Sequence, residues 1–447
     1  MLSGQLSQGD RLPSTRALAL ELGVSRTSIL LAFDELRADG LVEGKVGSGT
    51  RIARKPPTSS SNWPPDTMPS PNPGDTSEPG GAPRAFRINL PGIDLFPSAL
   101  WGQLASRRWR AASPGILDYA DSAGYLPLRR TIAEYLARTR SLGCSPDQVF
   151  IVGGSQQALD LIARTMAGWG DVVWMEDPGY PGARDAFVAA GASVFPVPVD
   201  EQGFQLNDAL ETAPNARFAY LTPSHQFPLT VVLSSKRREG LLRWAAGGEG
   251  WIIEDDYDWE FRALKDRLPA MAASAEKQRV FYVGTFSKTV FPSLRLGYLV
   301  VPSTLIERFR ETRQITDRHS ATIQQAILAD FIWEGHYDRH LRRMRRAYQQ
   351  RGEALCRAIS RELAHVLAVT LPPGGTHLLA WLPPRIPDGH ASEAAARHGI
   401  EALPLSMFSR RTLDRGALLL GFAGLRDVEI ADAVRGLRNA LASENLC

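Results

Sequence analysis

Six short apolar runs punctuate the chain from about residue 85 onward: Gln148–Val152, Val172–Met175, Arg217–Leu221, Trp251–Glu254, Val280–Val283 and Leu296–Val301. Each is nearly continuous rather than alternating, the pattern of a strand covered on both faces. Between them the period changes to that of amphipathic helices, as in Leu126–Arg138 and Gln156–Met166. Buried strands separated by helices predict an α/β architecture. From about Leu305 the pattern turns helix-rich and then mixed, which predicts a second, smaller subdomain.

The first fifty residues follow a different plan. Ser14, preceded by Pro13, is placed to cap a helix over Thr15–Leu22, and Gly23-Val24-Ser25 makes a tight turn. A second helix is predicted over Arg26–Asp39, with Ile29, Leu30, Phe33 and Leu36 at helical spacing. Gly40 ends it, and Leu41–Ile52 reads as a hairpin with a glycine-rich tip. Helix, turn, helix and hairpin form the plan of a winged helix-turn-helix, whose second helix enters the major groove. Ser25, Arg26 and Thr27 stand at that helix's N-terminus, where free N–H groups favour phosphate. Lys45 and Gly47 belong to the wing. A small protein-interaction domain is the competing reading of the same pattern.

Residues Lys55–Arg84 are dense in Pro, Ser and Gly, with Trp63 and Met68 their only large apolar side chains. Such a stretch buries too little surface to offset its ordering entropy and predicts an extended tether. The expected organisation is therefore a head over 1–54, a linker over 55–84 and a main domain over 85–447. The main domain divides into a large part, about 85–304, and a small C-terminal part, about 305–447.

Composition narrows the class. With 447 residues, 44% apolar and 22% charged, the chain can build sizeable cores, and wholesale disorder is excluded. Fifty-one basic against 48 acidic residues give a formal charge of +3, so DNA contact must come from a local surface. Cys144, Cys356 and Cys447 form no paired motif, which argues against a zinc ribbon or a disulfide scaffold and fits a reducing compartment. No apolar run approaches the ~18 residues of a membrane span. The opening MLSGQLSQGD lacks a signal-peptide core, so a cytoplasmic protein without membrane contact is expected.

Polar residues gather at the carboxyl ends of the predicted strands, the edge where open α/β sheets bind ligands. Gly153-Gly154-Ser155-Gln156 opens a helix and suits a phosphate; Glu176-Asp177-Pro178-Gly179-Tyr180 offers an aromatic face. One strand delivers Asp255 and Tyr257; another delivers Thr285, Ser287 and Lys288, with Arg295 seven residues on. Asp256 and Asp258 read as solvated carboxylates at a strand end. A lysine, an acid, a phenol, an arginine and a phosphate cup suit a cofactor bearing an aldehyde, a ring nitrogen, a phenolate and a phosphate. Pyridoxal phosphate carries all four.

Two resemblances extend this reading. RLPSTR, GVSRTS and GSGT resemble the DNA-binding half of the GntR family, which implies DNA contacts from Arg16, Ser25, Arg26 and Thr27, with Gly47 in the wing. That family has a helix before the Leu2-Ser3-Gly4 segment, so either the true start lies upstream or the head lacks that helix. VGGSQQALDLIAR, EDPGYPG, TPSHQFP, IIEDDYDWEFR and GTFSKTVFPSLRLGYLV resemble the fold-type I aminotransferase domain of the MocR/GabR regulators. This implies Lys288 as the Schiff-base lysine, Asp255 on the pyridine nitrogen, Tyr257 on the ring hydroxyl and Tyr180 stacked on the ring. Ser155, Gln156, Thr285, Ser287 and Arg295 would hold the phosphate, and Tyr119 would reach the phosphate of a neighbouring subunit, hence a homodimer.

The chain departs from the aminotransferase pattern in two places. Leu419-Leu420-Gly421-Phe422 stands where many aminotransferases have Arg-Leu-x-Phe, with leucine in place of the arginine that clamps the substrate α-carboxylate. Loss of such a charge-assisted pair forfeits ~1.5–3 kcal/mol. Gln226-Phe227-Pro228-Leu229-Thr230 replaces the usual Asn-Pro-Thr-Gly run, leaving the roles of His225 and Gln226 open. The resemblance as a whole implies a regulator, rather than an enzyme, that binds operator DNA and senses an amine or amino-acid-like effector through the Schiff base, and it leaves a residual transaminase half-reaction open. An aminotransferase with a vestigial head is the alternative, and a DNA-binding protein whose large domain only dimerises is a third reading.

Overall fold

The computed structural model describes residues 8–38, 41–45, 49–53, 84–248, 250–263, 268–274, 279–444 and 446. The chain divides into two compact units, Met1–Thr76 and Ser77–Cys447. The residues before Gln8 and the segment 54–83, including nearly all of the predicted tether, lie outside the described residues.

In the first unit, α1 spans Thr15–Leu22 as the sequence predicts, with the Ser14 hydroxyl accepting from the Ala17 N–H at 3.2 Å. Gly23 ends the helix with φ +66°, a conformation that costs a side-chain-bearing residue strain. α2 covers Arg26–Ala38, and Ser25 caps it by accepting from the Ser28 N–H at 3.1 Å. β1 (Val42–Lys45) and β2 (Gly49–Ile52) pair antiparallel, Val42 opposite Ile52. The core is small: Ile29, Phe33, Val42 and Ile52 are buried. Leu36 is half-buried, but Leu30 is exposed, because the i, i+4 pair Ile29–Phe33 sets the inward face.

The second unit is built on a mixed sheet. Its strands are β3 (Val149–Val152), β4 (Val172–Asp177), β5 (Ser193–Asp200), β6 (Gly203–Phe204), β7 (Ala216–Leu221), β8 (Trp251–Asp255), β9 (Val280–Thr285) and β10 (Gly297–Val300). Their order is β3-β10-β9-β8-β7-β4-β5-β6. Neighbours from β9 to β5 run parallel; β10 is antiparallel to both β3 and β9, and β6 to β5. Alternate side chains of each strand enter two hydrophobic clusters, one per face: Ile252 and Tyr282 join one, Ile253 and Phe281 the other. All six predicted strands are present. β5 was not foreseen, because Pro196 and Pro198 interrupt its apolar run. Two residues apart, they lack N–H groups on the same side of a strand that pairs along its length only with β4.

A second sheet of β11 (Ala368–Val369), β12 (His377–Trp381), β13 (Leu403–Pro404) and β14 (Ala417–Gly421) is antiparallel throughout, in the order β11-β12-β14-β13. The helices His336–Glu362 and Asp427–Ser443 pack together beside it. The arginine-rich stretch 339–351 lies within the first of these helices, which buries Tyr337, Leu341, Met344, Tyr348 and Leu355 at helical spacing. The chain enters this unit alongside the smaller sheet: Gly421 donates to the Phe86 carbonyl at 2.8 Å, and Glu401 to that of Ala85 at 3.0 Å.

Candidate functional site

The parallel strands and β3 deliver their carboxyl ends to one edge, and β10, running the other way, begins there. A cavity of about 160 Å³ opens at this edge. It gathers residues more than 200 positions apart: Asn89, Ser155, Tyr180, Asp255, Tyr257, Lys288, Thr285, Ser287 and Arg295 all line it.

One end of the cavity is built for an anion. The helix Ser155–Met166 begins there without a side-chain cap, so its first N–H groups face the cavity region. Gly154 precedes it at φ +120°, and a Cβ there would meet the Arg295 guanidinium at 3.9 Å and the Ser287 hydroxyl at 4.0 Å. Thr285 fixes the loop by accepting from the Ser287 N–H at 3.1 Å. Gln156 lines the cavity as well, and its side-chain amide donates to the Gly182 carbonyl at 2.8 Å and accepts from the Tyr180 hydroxyl at 3.1 Å. Its side chain therefore fastens Tyr180.

The lining also carries the acid and the amine. The Asp255 Oδ2 accepts from the Tyr220 hydroxyl at 2.9 Å, and burial raises the carboxyl to about 7. The Lys288 amine donates to the Asn89 carbonyl at 3.1 Å. It keeps some accessible surface, which faces the cavity, yet enclosure by protein pulls it down to about 8; Asp258 and then Asp255 act against that fall. Burial also pushes the Tyr180 phenol up to about 12 and the Tyr257 phenol well upward.

Behind these residues lies a buried network that corrects the sequence reading. Asp256 and Asp258 are not solvated: both are almost wholly buried. Alternation along β8 sends Asp255 to the cavity and turns Glu254 and Asp256 to the opposite face. There Asp256 meets Arg140 at 2.6 Å and the Tyr282 hydroxyl at 2.7 Å. Asp258 bonds His225 Nδ1 at 2.8 Å. The Gln226 amide is spent on backbone, donating to the carbonyls of Pro178 and Phe227 at 2.8 and 2.7 Å, and Phe227 rather than Gln226 lines the cavity. Asn89, Tyr220, Thr222 and Phe227 complete the lining and were not anticipated. Tyr220 was legible as the last inward-facing residue of an apolar strand; Asn89 acts through its carbonyl, which no side-chain pattern reports.

Tyr119 lies elsewhere, 78% exposed, with the Arg318 guanidinium 5.2 Å from its ring centre. In the head, Arg16, Ser25, Arg26 and Thr27 are exposed, the last three at the start of α2. Lys45 ends β1, and Gly47 lies outside the described residues. Among the described residues no helix is long and apolar enough to cross a membrane, and no cluster of potential metal ligands occurs.

This edge has the build of an aminotransferase-fold site: residues 97–436 match the family described as aminotransferase class I and II, and residues 1–52 match the bacterial regulatory proteins of the gntR family. The chain belongs to the MocR/GabR-type regulators, in which those two parts are joined. It is similar to the probable rhizopine catabolism regulatory protein MocR of Rhizobium meliloti, 37% identical over 98% of this chain and 91% of that protein. Among solved structures it resembles the α-aminoadipate aminotransferase LysN of Thermus thermophilus, complexed with N-(5'-phosphopyridoxyl)-L-leucine, at 30% identity and a TM-score of 0.73. That match covers 80% of this chain and 92% of LysN. It also resembles the kynurenine aminotransferase of Pyrococcus horikoshii in complex with PMP, at 26% identity and a TM-score of 0.74, covering 82% of this chain and 92% of that one.

Family and neighbours imply pyridoxal phosphate, and the residues present fit it. Two buried polar atoms on residues that line the cavity, Ser155 Oγ and Asp255 Oδ1, have no hydrogen-bond partner. Unmatched buried polar atoms are costly, and these two suit a phosphate and a protonated ring nitrogen.

Proposed function

We propose that the chain is a pyridoxal-phosphate-dependent transcriptional regulator that binds operator DNA through its head and an effector amine in the cavity of its large domain. The observation that carries this reading is the gathering of Lys288, Asp255 and Arg295 around one enclosed cavity, in a chain whose first 52 residues match a DNA-binding family.

In this reading Arg295, Ser287, Thr285, Ser155 and the N–H groups opening its helix bind the phosphate. Asp255, raised to about 7 by burial, regains its charge against a protonated ring nitrogen. Tyr257 donates to the ring hydroxyl, and Tyr180, held by Gln156, orients the ring. When bound, the cofactor supplies an electrophilic carbon and an electron-withdrawing ring. Lys288 is the covalent anchor. Its depressed basicity leaves about a tenth of it neutral at pH 7, far more than an ordinary lysine, so it can act as nucleophile and accept a proton from an incoming ammonium.

The head works through Arg16, Ser25, Arg26 and Thr27 against DNA, with Lys45 and Gly47 in the wing. The division into 1–54, 55–84 and 85–447 belongs to the same reading, as does a cytoplasmic homodimer in which Tyr119 completes the partner's phosphate site. The 78% exposure of Tyr119 supports that role. Effector binding changes DNA affinity only if the two forms bind DNA unequally. The test is a gel shift on the protein's own upstream DNA: an effector amine alters the wild-type shift and leaves that of Lys288→Ala unchanged. Equal responses would remove the cavity from the regulatory path.

A second reading, an aminotransferase in its own right, is favoured by the completeness of the cavity and the likeness to LysN. Sustained keto-acid formation from an amino donor at enzyme-like rates would establish it.

A further inference from the structure

The anion end of the cavity is braced from outside by a side chain that does not line it. Gln157 is the third residue of the helix Ser155–Met166, and its side chain turns back to accept from the Gly153 N–H. This is half of a reciprocal helix cap, in which the third residue reaches back over the N-terminus. The other half is missing, because the capping position is Gly154, which has no side chain to claim the first N–H groups of the helix. Those groups stay available to an anion.

The two ends of the Gln157 amide meet opposite demands. Gly153 offers a donor, so the amide oxygen faces it; Asp317 offers a carboxylate, and the amide nitrogen donates to it at 2.6 Å. Arg313 lies in the helix Ile306–Thr316 and Asp317 just past its end. The Arg313 side chain is wholly buried; it donates to Asp317 and, at 2.8 Å, to the carbonyl of Ile151 in β3. Ile151, Arg313, Asp317, Gln157 and Gly153 therefore form a closed circuit across the place where β3 gives way to the Gly153-Gly154 turn. Gly297 of β10 packs against the same turn, since a Cβ there would lie 3.0 Å from the Gly154 Cα. None of Gln157, Asp317 and Arg313 is among the lining residues, so the circuit reaches the cavity only through the turn.

Resting on the reading of this cavity as a pyridoxal-phosphate site, we infer that Gln157 is a positioning residue for the phosphate. Aligned by Asp317 and Arg313, it fixes the Gly153-Gly154 turn so that the free N–H groups of the helix meet the same anion as Arg295 and Ser287, which flank Gly154. A methionine at this position would leave both Gly153 and Asp317 unmatched, and a glutamate would set a second carboxylate against Asp317.

The test titrates the apoprotein with pyridoxal phosphate and, separately, with pyridoxal, which has the same ring and aldehyde but no phosphate, following the visible absorbance. Gln157→Met should weaken capture of pyridoxal phosphate about ten- to a hundredfold, the reach of one charge-assisted hydrogen bond, and leave capture of pyridoxal unchanged. Asp317→Ala should act in the same direction, and the double variant should be no weaker than the weaker single one, because the two side chains serve one circuit. If Asp317→Ala does not fold, the two titrations of Gln157→Met decide alone. Unchanged capture of pyridoxal phosphate, or equal weakening of both ligands, overturns the inference; equal weakening would make Gln157 a support of the fold alone. Wild-type protein that gives no band with pyridoxal phosphate contradicts the reading of the cavity instead, so the two failures are told apart.

Discussion

His225 Nδ1 lies 2.8 Å from Asp258 Oδ2 and 3.1 Å from the Tyr257 hydroxyl. A carboxylate only accepts, so in this pair Nδ1 carries the proton, and the Tyr257 oxygen is at most a second acceptor. The phenol keeps its own proton for the cavity. A side chain three residues beyond the strand-end acid Asp255 thus gives Tyr257 the donor role that a ring hydroxyl requires. His225→Ala leaves a buried carboxylate without its partner and should cost about 3–5 kcal/mol of stability. His225→Ala combined with Asp258→Ala should cost less than the single change, because the stranded charge is gone. Urea unfolding of the three proteins checks this, and a double variant weaker than the single one contradicts it.

The Lys288 amine should show its surroundings in kinetics. Burial holds it at about 8 rather than 10.5, and Asp258 is the largest influence acting upward. Only the neutral amine attacks an aldehyde, so capture of added cofactor by the apoprotein should accelerate with rising pH through a midpoint near 8. Removing the Asp258 charge removes support for the ammonium form, so Asp258→Asn should move the midpoint lower. Stopped-flow absorbance from mildly acidic to alkaline pH measures both; a midpoint that stays fixed or moves upward contradicts the assignment.

Arg140 should be structurally indispensable. Its guanidinium reaches Asp256 at 2.6 Å and Glu254 at 3.7 Å, with all three side chains buried and Trp259 4.9 Å away. Arg140→Met strands two carboxylates behind the cavity and should cost about 3–5 kcal/mol, the range for breaking a buried pair. Thermal unfolding checks it; a change within about 0.5 kcal/mol would show that the network carries no stability.

The head makes a separable prediction. Arg26→Ala should weaken operator binding and, for a phosphate contact, lower the salt slope by about one. The cofactor band should be unchanged. Ser25→Ala should in addition loosen α2 by about 1 kcal/mol, since its hydroxyl caps the Ser28 N–H. Anisotropy titrations at several salt concentrations test both; equal slopes for wild type and Arg26→Ala contradict the phosphate contact.

What the sequence made legible followed from local rules. The boundaries of α1, the six apolar strands and the placement of Asp255, Lys288 and Arg295 at strand ends all depend on short-range period and punctuation. What it concealed depends on distant partners. Asp256 looks solvated until Arg140, more than a hundred residues earlier, is seen beneath it, and Asp258 looks so until His225 is seen beside it. That the Gln156 amide also fastens Tyr180 depends on Gly182 and Tyr180, some 25 residues on. Leu419 was visible as a departure, but only the register of β12, β13 and β14 shows which face it serves.

The central claim is that the amine of Lys288 is the covalent anchor of the cofactor. Borohydride reduction of the purified protein, followed by digestion and peptide mass analysis, tests it most directly. The predicted result is a single phosphopyridoxyl mass increment on the peptide containing Lys288, absent from Lys288→Ala. No increment, or one on a different lysine, would contradict the account.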